Sequence, residues 1–357
     1  MVQFSLIMAV LAFSSAINAC GEGAQLQVTG GGSAFVASSG GTTIYTGPSY
    51  LVAIQAAVNR ATAGQHVAVM ASGSVGTGSI LLKSNIIFEG CGTIDAARGN
   101  GNHGAVDVQG ATNVRIPTLT MTGAPYFGIK IAGSTDVVLG VITMTLSGGI
   151  GIRTDPNASS RDITMNTVRV TGAGEHAIEV WNINGLTIGS VTASNCGGCA
   201  LLIQATTNAR VTTVSGTNVG TLGGYATLRF ANRNGRDASG AYPAGNINIG
   251  RVISRASARG VFCVSESGGA TIGSVDISGS REQSILIENC YNVDVRGGVV
   301  SDGAPIRIAD RANSGFRAPD NVSISVTTGS AVSLVQGCSS TNIRWTINGQ
   351  SRTVPCT

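Results

Sequence analysis

The sequence predicts an all-β, single-domain right-handed parallel β-helix with an N-terminal capping helix, and three observations carry that prediction. The first is a repeat: a β-branched run of alternating Val and Ile, a small polar turn and a second short apolar run recur seven times. Ile163, Leu186 and Ala209 occupy corresponding points of three units, and 186 − 163 and 209 − 186 both give 23. Ile247, Ala270 and Val293 repeat that spacing, 270 − 247 and 293 − 270 again giving 23. A fixed period in the low twenties, with no helical stretch between strands, marks a solenoid whose coils bury each other's inner face. The second is composition. With 51 Gly, 11% charged and 4% aromatic residues, strands of Val, Ile and Thr alternate with Gly, Ser and Asn turns, and bulky side chains are too few to fill a wide sandwich. Three short strands in a coil of about 22 to 25 residues fit this pattern. The third is the recurrence of Asn184, Asn208, Asn246, Asn292 and Asn321 at the turn before a strand, where Asn tolerates the left-handed conformation.

The N-terminal residues 1–19 carry an apolar stretch from Phe4 to Phe13 and end in Ile17-Asn18-Ala19. They read as a secretory signal cleaved before Cys20, too short in its apolar part to span a bilayer, and residues 20–357 form the β-helix domain. Residues 50–63, YLVAIQAAVNRATA, place apolar side chains at helical spacing. They are expected to form an amphipathic helix closing the first coil, whose strand edges are otherwise unpaired.

Eight cysteines follow the signal: Cys20, Cys91, Cys196, Cys199, Cys263, Cys290, Cys338 and Cys356. An even number in an exported chain implies disulfides. Proximity in the repeat suggests 338–356 at the C-terminal end, 263–290 between neighbouring coils and 20–91 at the N-terminal segment. Cys196-Gly-Gly-Cys199 reads either as a tight local disulfide or as a redox pair. Asn157-Ala-Ser and Asn321-Val-Ser are glycosylation acceptors, consistent with secretion.

Aligning the coils by their inward residues exposes one strand face. Alternation places the outer and inner residues of each I-x-V core on opposite sides. The outward column reads Lys130, Arg153, Glu179, Leu202, Arg229, Phe262, Leu286, Arg307. Two residues on, a second column reads Ala132, Asp155, Trp181, Gln204, Ala231, Val264, Glu288, Ala309. Stacked about 4.8 Å apart, these residues form a ladder that is rich in charge for so weakly charged a chain. The one large irregularity falls in the same coils: Ala209 to Ile247 spans 38 residues, an excess of 15 over 23. The excess is expected as a loop over residues 232–244, on the binding face.

Within this groove Trp181 and Tyr225 offer flat surfaces for sugar rings. Arg229, Arg233, Arg153, Lys130 and Arg307 make it basic, and a guanidinium fork suits a carboxylate. His176, Glu179 and Asp155 are the candidate proton-transfer groups, and carboxylates on neighbouring coils are what glycoside hydrolysis requires.

At these residues the chain resembles a family. The helical AIQAAVNRA, a first coil reading SNIIFEGCGTIDA and the ladder look like the pectin-lyase-like superfamily of right-handed β-helices, which includes pectate lyases and polygalacturonases. The resemblance implies a secreted carbohydrate-active enzyme. Against the polygalacturonase signature, the nearest fragments are Arg153-Thr154-Asp155, Glu175-His176-Ala177 and Arg307-Ile308-Ala309, each lacking members of the set. Against pectate lyases, the resemblance implies that Arg229 serves as the base beside a uronate carboxylate, with calcium a possible cofactor. The expected function is therefore a secreted lyase acting by β-elimination on a pectin-like acidic glycan. The alternatives are a hydrolase using Glu179 and Asp155, and a non-catalytic carbohydrate-binding solenoid. The expected partner is a polysaccharide and the expected state a monomer. Neither nucleic acid nor membrane is expected as a partner.

Overall fold

A computed structural model describes residues 19–311, 314–329 and 332–357; the expected signal segment lies outside them up to residue 18. The chain is a parallel β-solenoid of about 12 turns, with one α-helix among the described residues. The predicted registers hold: Ile163 pairs with Leu186 and Leu186 with Ala209, then Ala209 with Ile247, Ile247 with Ala270 and Ala270 with Val293.

Two of the three strands expected per coil are continuous with each other. Strands such as Thr135–Leu146, Ser160–Thr171 and Ile183–Ser194 run for 12 residues, and a short strand such as Ile178–Trp181 or Leu201–Gln204 closes the coil. Each of these strands skips two pairing positions, one near its start and one at the turn. Leu139 pairs with Met165 and Val141 with Thr167, with Gly140 and Asn166 passed over, and the buried positions step from Val137 and Leu139 to Ile142 and Met144. At the equivalent Gly189 a Cβ would lie 2.3 Å from the Asn166 carbonyl oxygen, so this coil has no room for a side chain at that point.

Like residues stack inside. Ile116, Leu139, Met165, Ile188 and Val211 are mutual partners on successive coils, as are Ile152, Ile178, Leu201 and Leu228 on the short-strand side, and all are buried. Burying an aliphatic side chain of this size contributes about 1.5–3 kcal/mol, which one coil alone has no partner to realise. Amide ladders run along the corners: Asn208 Nδ2 donates to Asn184 Oδ1 at 2.6 Å, and Asn321 Nδ2 to Asn292 Oδ1 at 2.7 Å. Asn208, Asn292 and Asn321 take the left-handed conformation as expected, but beside Asn184 and Asn246 it is Gly185 and Gly245 that do so.

The capping helix spans Tyr50–Arg60, with Ser49 accepting from the Val52 amide at 3.2 Å. It stops short of residue 63 because Ala61 already leaves the helical region. It buries Tyr50, Ala53, Ile54, Ala57 and Val58 against the first coils and an antiparallel meander, Leu26–Gly31, Ala34–Ser39 and Thr42–Gly47. At the other end Gln350–Arg352 folds back antiparallel on Thr341–Ile347.

Cys20–Cys91 and Cys263–Cys290 form disulfides, the latter between adjacent coils. The other two expected pairings are absent. Cys338 and Cys356 are exposed free thiols, hydrogen-bonded to each other, which holds the Cys338 thiol above its usual range. Cys196 and Cys199 are buried free thiols facing different clusters, Cys196 the solenoid core and Cys199 an outer apolar cluster. Burial pushes Cys199 up to about 12, so it is no redox nucleophile. The intervening glycines serve packing: a Cβ at Gly197 would lie 2.0 Å from the Gly174 carbonyl oxygen, and one at Gly198 2.4 Å from His176 Nδ1.

The 15 extra residues are divided. Leu201 pairs with Leu228, 27 residues on, where Ile178 to Leu201 is 23, so 4 precede the Leu228–Ala231 strand and 11 follow it. The later loop is anchored rather than free. Asn234 is fully buried, and the buried Tyr242 packs on Tyr291 with ring centroids 5.2 Å apart. The amides of Asn292 and Asn246 hold the carbonyls of Tyr242 and Gly235. Of the loop expected over 232–244, the part free of such anchors is the turn 237–241, closed by the Asp237 carboxylate on the amides of Ser239 and Ala241. In thermal unfolding, removal of that turn should change stability by less than about 1 kcal/mol, whereas Tyr242→Ala should cost about 3–5 kcal/mol.

Candidate functional site on the outer face of the short strands

The short strands position the site. The first outward column follows the register throughout: Lys130, Arg153, Glu179, Leu202, Arg229, Phe262, Leu286 and Arg307 are successive partners; of the second, Trp181 pairs with Gln204, Gln204 with Ala231 and Glu288 with Ala309. The column extends further back than the sequence alignment took it, through Asp107, the partner of Lys130, to Leu81.

This face is neither uniformly polar nor uniformly open. At its N-terminal end the buried Asp107 carboxylate meets Nδ1 of the half-exposed His103 at 2.6 Å and accepts from the Gln109 amide. Lys130 donates to the Asn102 carbonyl at 2.8 Å and lies 3.1 Å from Asp155. Asp155 is held below the usual carboxylate range: partial desolvation is outweighed by the Asn157 amide and by Lys130. Arg153 Nη1 lies 2.5 Å from Glu179 Oε2, and the Trp181 indole and Gln204 amide donate to Oε1 at 2.7 and 3.0 Å. Glu179 is thereby a buried carboxylate with both oxygens engaged. Lys130 and Arg153 spend their charge on neighbours instead of presenting it to a ligand.

In the central coils the outward residues form a second, outer apolar cluster: Cys199, Leu202, Ala226, Ala231, Phe262, Val264 and Leu286, with Tyr225 against it. Arg229 stands in this cluster, its guanidinium 5.3 Å from the Tyr225 ring centroid and 4.9 Å from that of Phe262. Among the described residues it has no carboxylate within ion-pair distance, and its buried Nε has no hydrogen-bond partner. The nearby Arg259 differs, being paired with Glu282. The segment beside Arg229 is the one that bears Tyr225, which carries the 4 extra residues, and not 232–244.

His176 packs edge-on against Tyr225, ring centroids 5.0 Å apart, and its Nδ1 accepts from the Cys199 amide at 2.8 Å. Burial depresses it to about 4, opposed by Glu179 and reinforced by Arg229. With Nδ1 occupied and the ring neutral, its other nitrogen carries hydrogen, so of the proton-transfer roles expected of His176 this geometry disfavours that of base, and it gives the ring a structural part in holding the Cys199 amide. Between about pH 6.5 and 4 the unfolded chain binds the proton that the folded chain refuses. Stability contributed by neutral His176 is complete above pH 6.5 and falls by up to about 3 kcal/mol as pH drops through that window. Urea titrations across pH 4–7 should show that slope, and His176→Gln should flatten it.

Arg233 reaches Glu266 at 3.5 Å near Trp181. Arg307 lies exposed three coils beyond Arg229, past Phe262 and Leu286. Asn157 is exposed, whereas Asn321 is half-buried in the corner ladder. Among the described residues Cys20, Glu89 and Cys91 are the group of potential metal ligands that converges, and both thiols are spent in a disulfide; the outer face has no such group for calcium.

Sequence reasoning missed His103, Asp107, Asn232, Glu266 and Phe316. Asp107 was accessible by extending the column through Val106-Asp107-Val108; Phe316, from a long loop, carried no periodic signal.

No family model and no curated protein matches the chain. Among solved structures it is similar to the A-module of the mannuronan C-5 epimerase AlgE6 of Azotobacter vinelandii, with a TM-score of 0.54 and 14% identity over 86% of this chain and 96% of that one. The likeness is one of fold. No helix among the described residues is long and apolar enough to cross a membrane.

Proposed function

We propose that the chain is a secreted enzyme acting on a uronate-containing polysaccharide, with Arg229 holding the carboxylate of the reacting sugar. The observation that carries this reading is the unpaired Arg229 guanidinium. Its buried Nε has no hydrogen-bond partner, which is costly, and the half-buried guanidinium stands on the outer face of the central coils, clamped by two aromatic rings. A planar carboxylate is the ligand a guanidinium fork satisfies bidentately. Neutralising a uronate carboxylate makes the C5 proton removable. In β-elimination a base takes that proton, the C4–O bond to the leaving sugar breaks with its oxygen taking up a proton from water, and a C4=C5 double bond forms. The structural neighbour named for C5 epimerisation of mannuronan supports a polyuronate as substrate class.

Hydrolysis finds less support. Asp155 is held below the usual carboxylate range, which disfavours it as the protonated acid of glycosidic cleavage, and both Glu179 oxygens already accept from Arg153, Trp181 and Gln204. A binding role without turnover has one observation in its favour, the apolar covering of the central face by Leu202, Phe262 and Leu286.

The test is a screen on polymannuronate, polygalacturonate and a neutral glucan, following unsaturated products, reducing ends and solvent deuterium at C5 together. Unsaturated products support elimination, and deuterium without cleavage supports epimerisation. Reducing ends without unsaturation overturn the reading in favour of hydrolysis, and retention of polymer without any product overturns it in favour of a binding protein.

A further inference from the structure

We infer that the cavity between Trp181 and Phe316 is a separate sugar-binding subsite, one that grips a pyranose by its ring face and hydroxyls and not by its carboxylate. The cavity has a volume of about 450 Å³ and is lined by Trp181, Asn232, Arg233, Ser265, Glu266 and Phe316, within the range of small-molecule sites. The two aromatics are half-buried, so each keeps a surface open to a ligand.

The backbone beneath the cavity is unusual in the same two coils. Where the short strand turns into the next long strand, neighbouring coils use one left-handed residue, Asn182, Ala205 or Asn289. Here there are two in succession, Asn232-Arg233 at φ 52° and 61° and Ser265-Glu266 at φ 57° and 54°, stacked by the Arg233 amide on the Ser265 carbonyl at 3.1 Å. Arg and Glu adopt this conformation at a cost, and the second left-handed residue is not what the corner itself requires. Its result is the Arg233–Glu266 pair at the cavity's edge, with Arg233 62% and Glu266 26% exposed.

A charge-balanced pair beside aromatic rings offers donors and acceptors to vicinal hydroxyls without net attraction for an anion. That sets this cavity apart from Arg229, which is unbalanced. The subsite adjoins the ladder directly, since Trp181 donates to Glu179 and Asn232 to Gln204. The inference rests on the polysaccharide reading for its ligand class and adds a second locus to it.

The chain has two tryptophans, and Trp345 is buried at the C-terminal end, so a ligand-induced change in tryptophan fluorescence reports Trp181. The probes are hexamers of mannuronate and galacturonate and their carboxyl-reduced, neutral counterparts. At least one neutral hexamer is expected to change the emission within about tenfold of the affinity of its uronate parent. Phe316→Ala should weaken that binding by about tenfold, Trp181→Phe should abolish the signal, and Arg229→Ala should leave the neutral hexamer's binding intact. If no hexamer alters the emission up to about 10 mM, or if Phe316→Ala binds as tightly as the parent, the subsite is overturned. Product formation in the polymer screen would then leave the proposed activity standing. Neutral-hexamer binding without any product in that screen would do the reverse.

Discussion

Arg229→Ala is expected to lower kcat on the uronate polymer by about 10²- to 10³-fold, the loss found when one preorganised donor to a developing charge is removed, with KM changing far less. The carboxylate gains negative charge as the C5 proton leaves, so a cation there stabilises the transition state more than the bound substrate. Arg229→Lys should recover part of the rate, since it restores charge without the planar fork. Folding stability should be unchanged or rise, because the substitution removes a charge whose buried Nε lacks a partner at the expense of two cation–ring contacts. A rise in KM with kcat intact would instead mean that Arg229 binds ground and transition states alike.

The next residue carries the opposite expectation. Phe230 points inward, is fully buried and is among the largest such side chains of the core, paired in register with Ile203 and Cys263. Phe230→Ala should cost about 3–5 kcal/mol of stability in denaturant titration, while turnover per folded molecule stays near that of the parent. The two adjacent variants together test whether outward residues of the short strands act and inward ones hold. If Phe230→Ala depresses turnover of folded protein as severely as Arg229→Ala, the division fails.

The coil arithmetic was legible because alternation has a period of two and the coil length is nearly constant, so the register from Lys130 to Arg307 followed without any structure. Irregular coils limited what else could be read. The 38-residue step at Ala209 showed that 15 residues were extra, but only the position of Leu228–Ala231 shows that they are split around that strand. Charge in the columns was visible, whereas its consumption was not. Arg153 and Glu179 sit 26 residues apart, and whether such neighbours face a ligand or each other depends on rotamers that spacing does not encode. His176 looked catalytic as one of only 3 histidines, and its burial over the Cys199 amide arises from the close approach of Gly198. The antiparallel meander at Leu26–Gly47 lies before the repeat begins, outside any periodic signal.

The two disulfides also set how far the molecule can be drawn out. Pulled by its ends, a solenoid yields one coil after another, since each coil holds only its neighbours. The Cys20–Cys91 and Cys263–Cys290 bonds, with sequence separations of 71 and 27, short-circuit those stretches, so 71 + 27 = 98 residues cannot pay out while the bonds last. At roughly 3.5 Å per extended residue, reduction would release roughly 340 Å of additional tether. Oxidising conditions thus make this chain a shorter, stiffer tether under load than reducing ones would, with the Arg229 coil in the extensible span between the two staples.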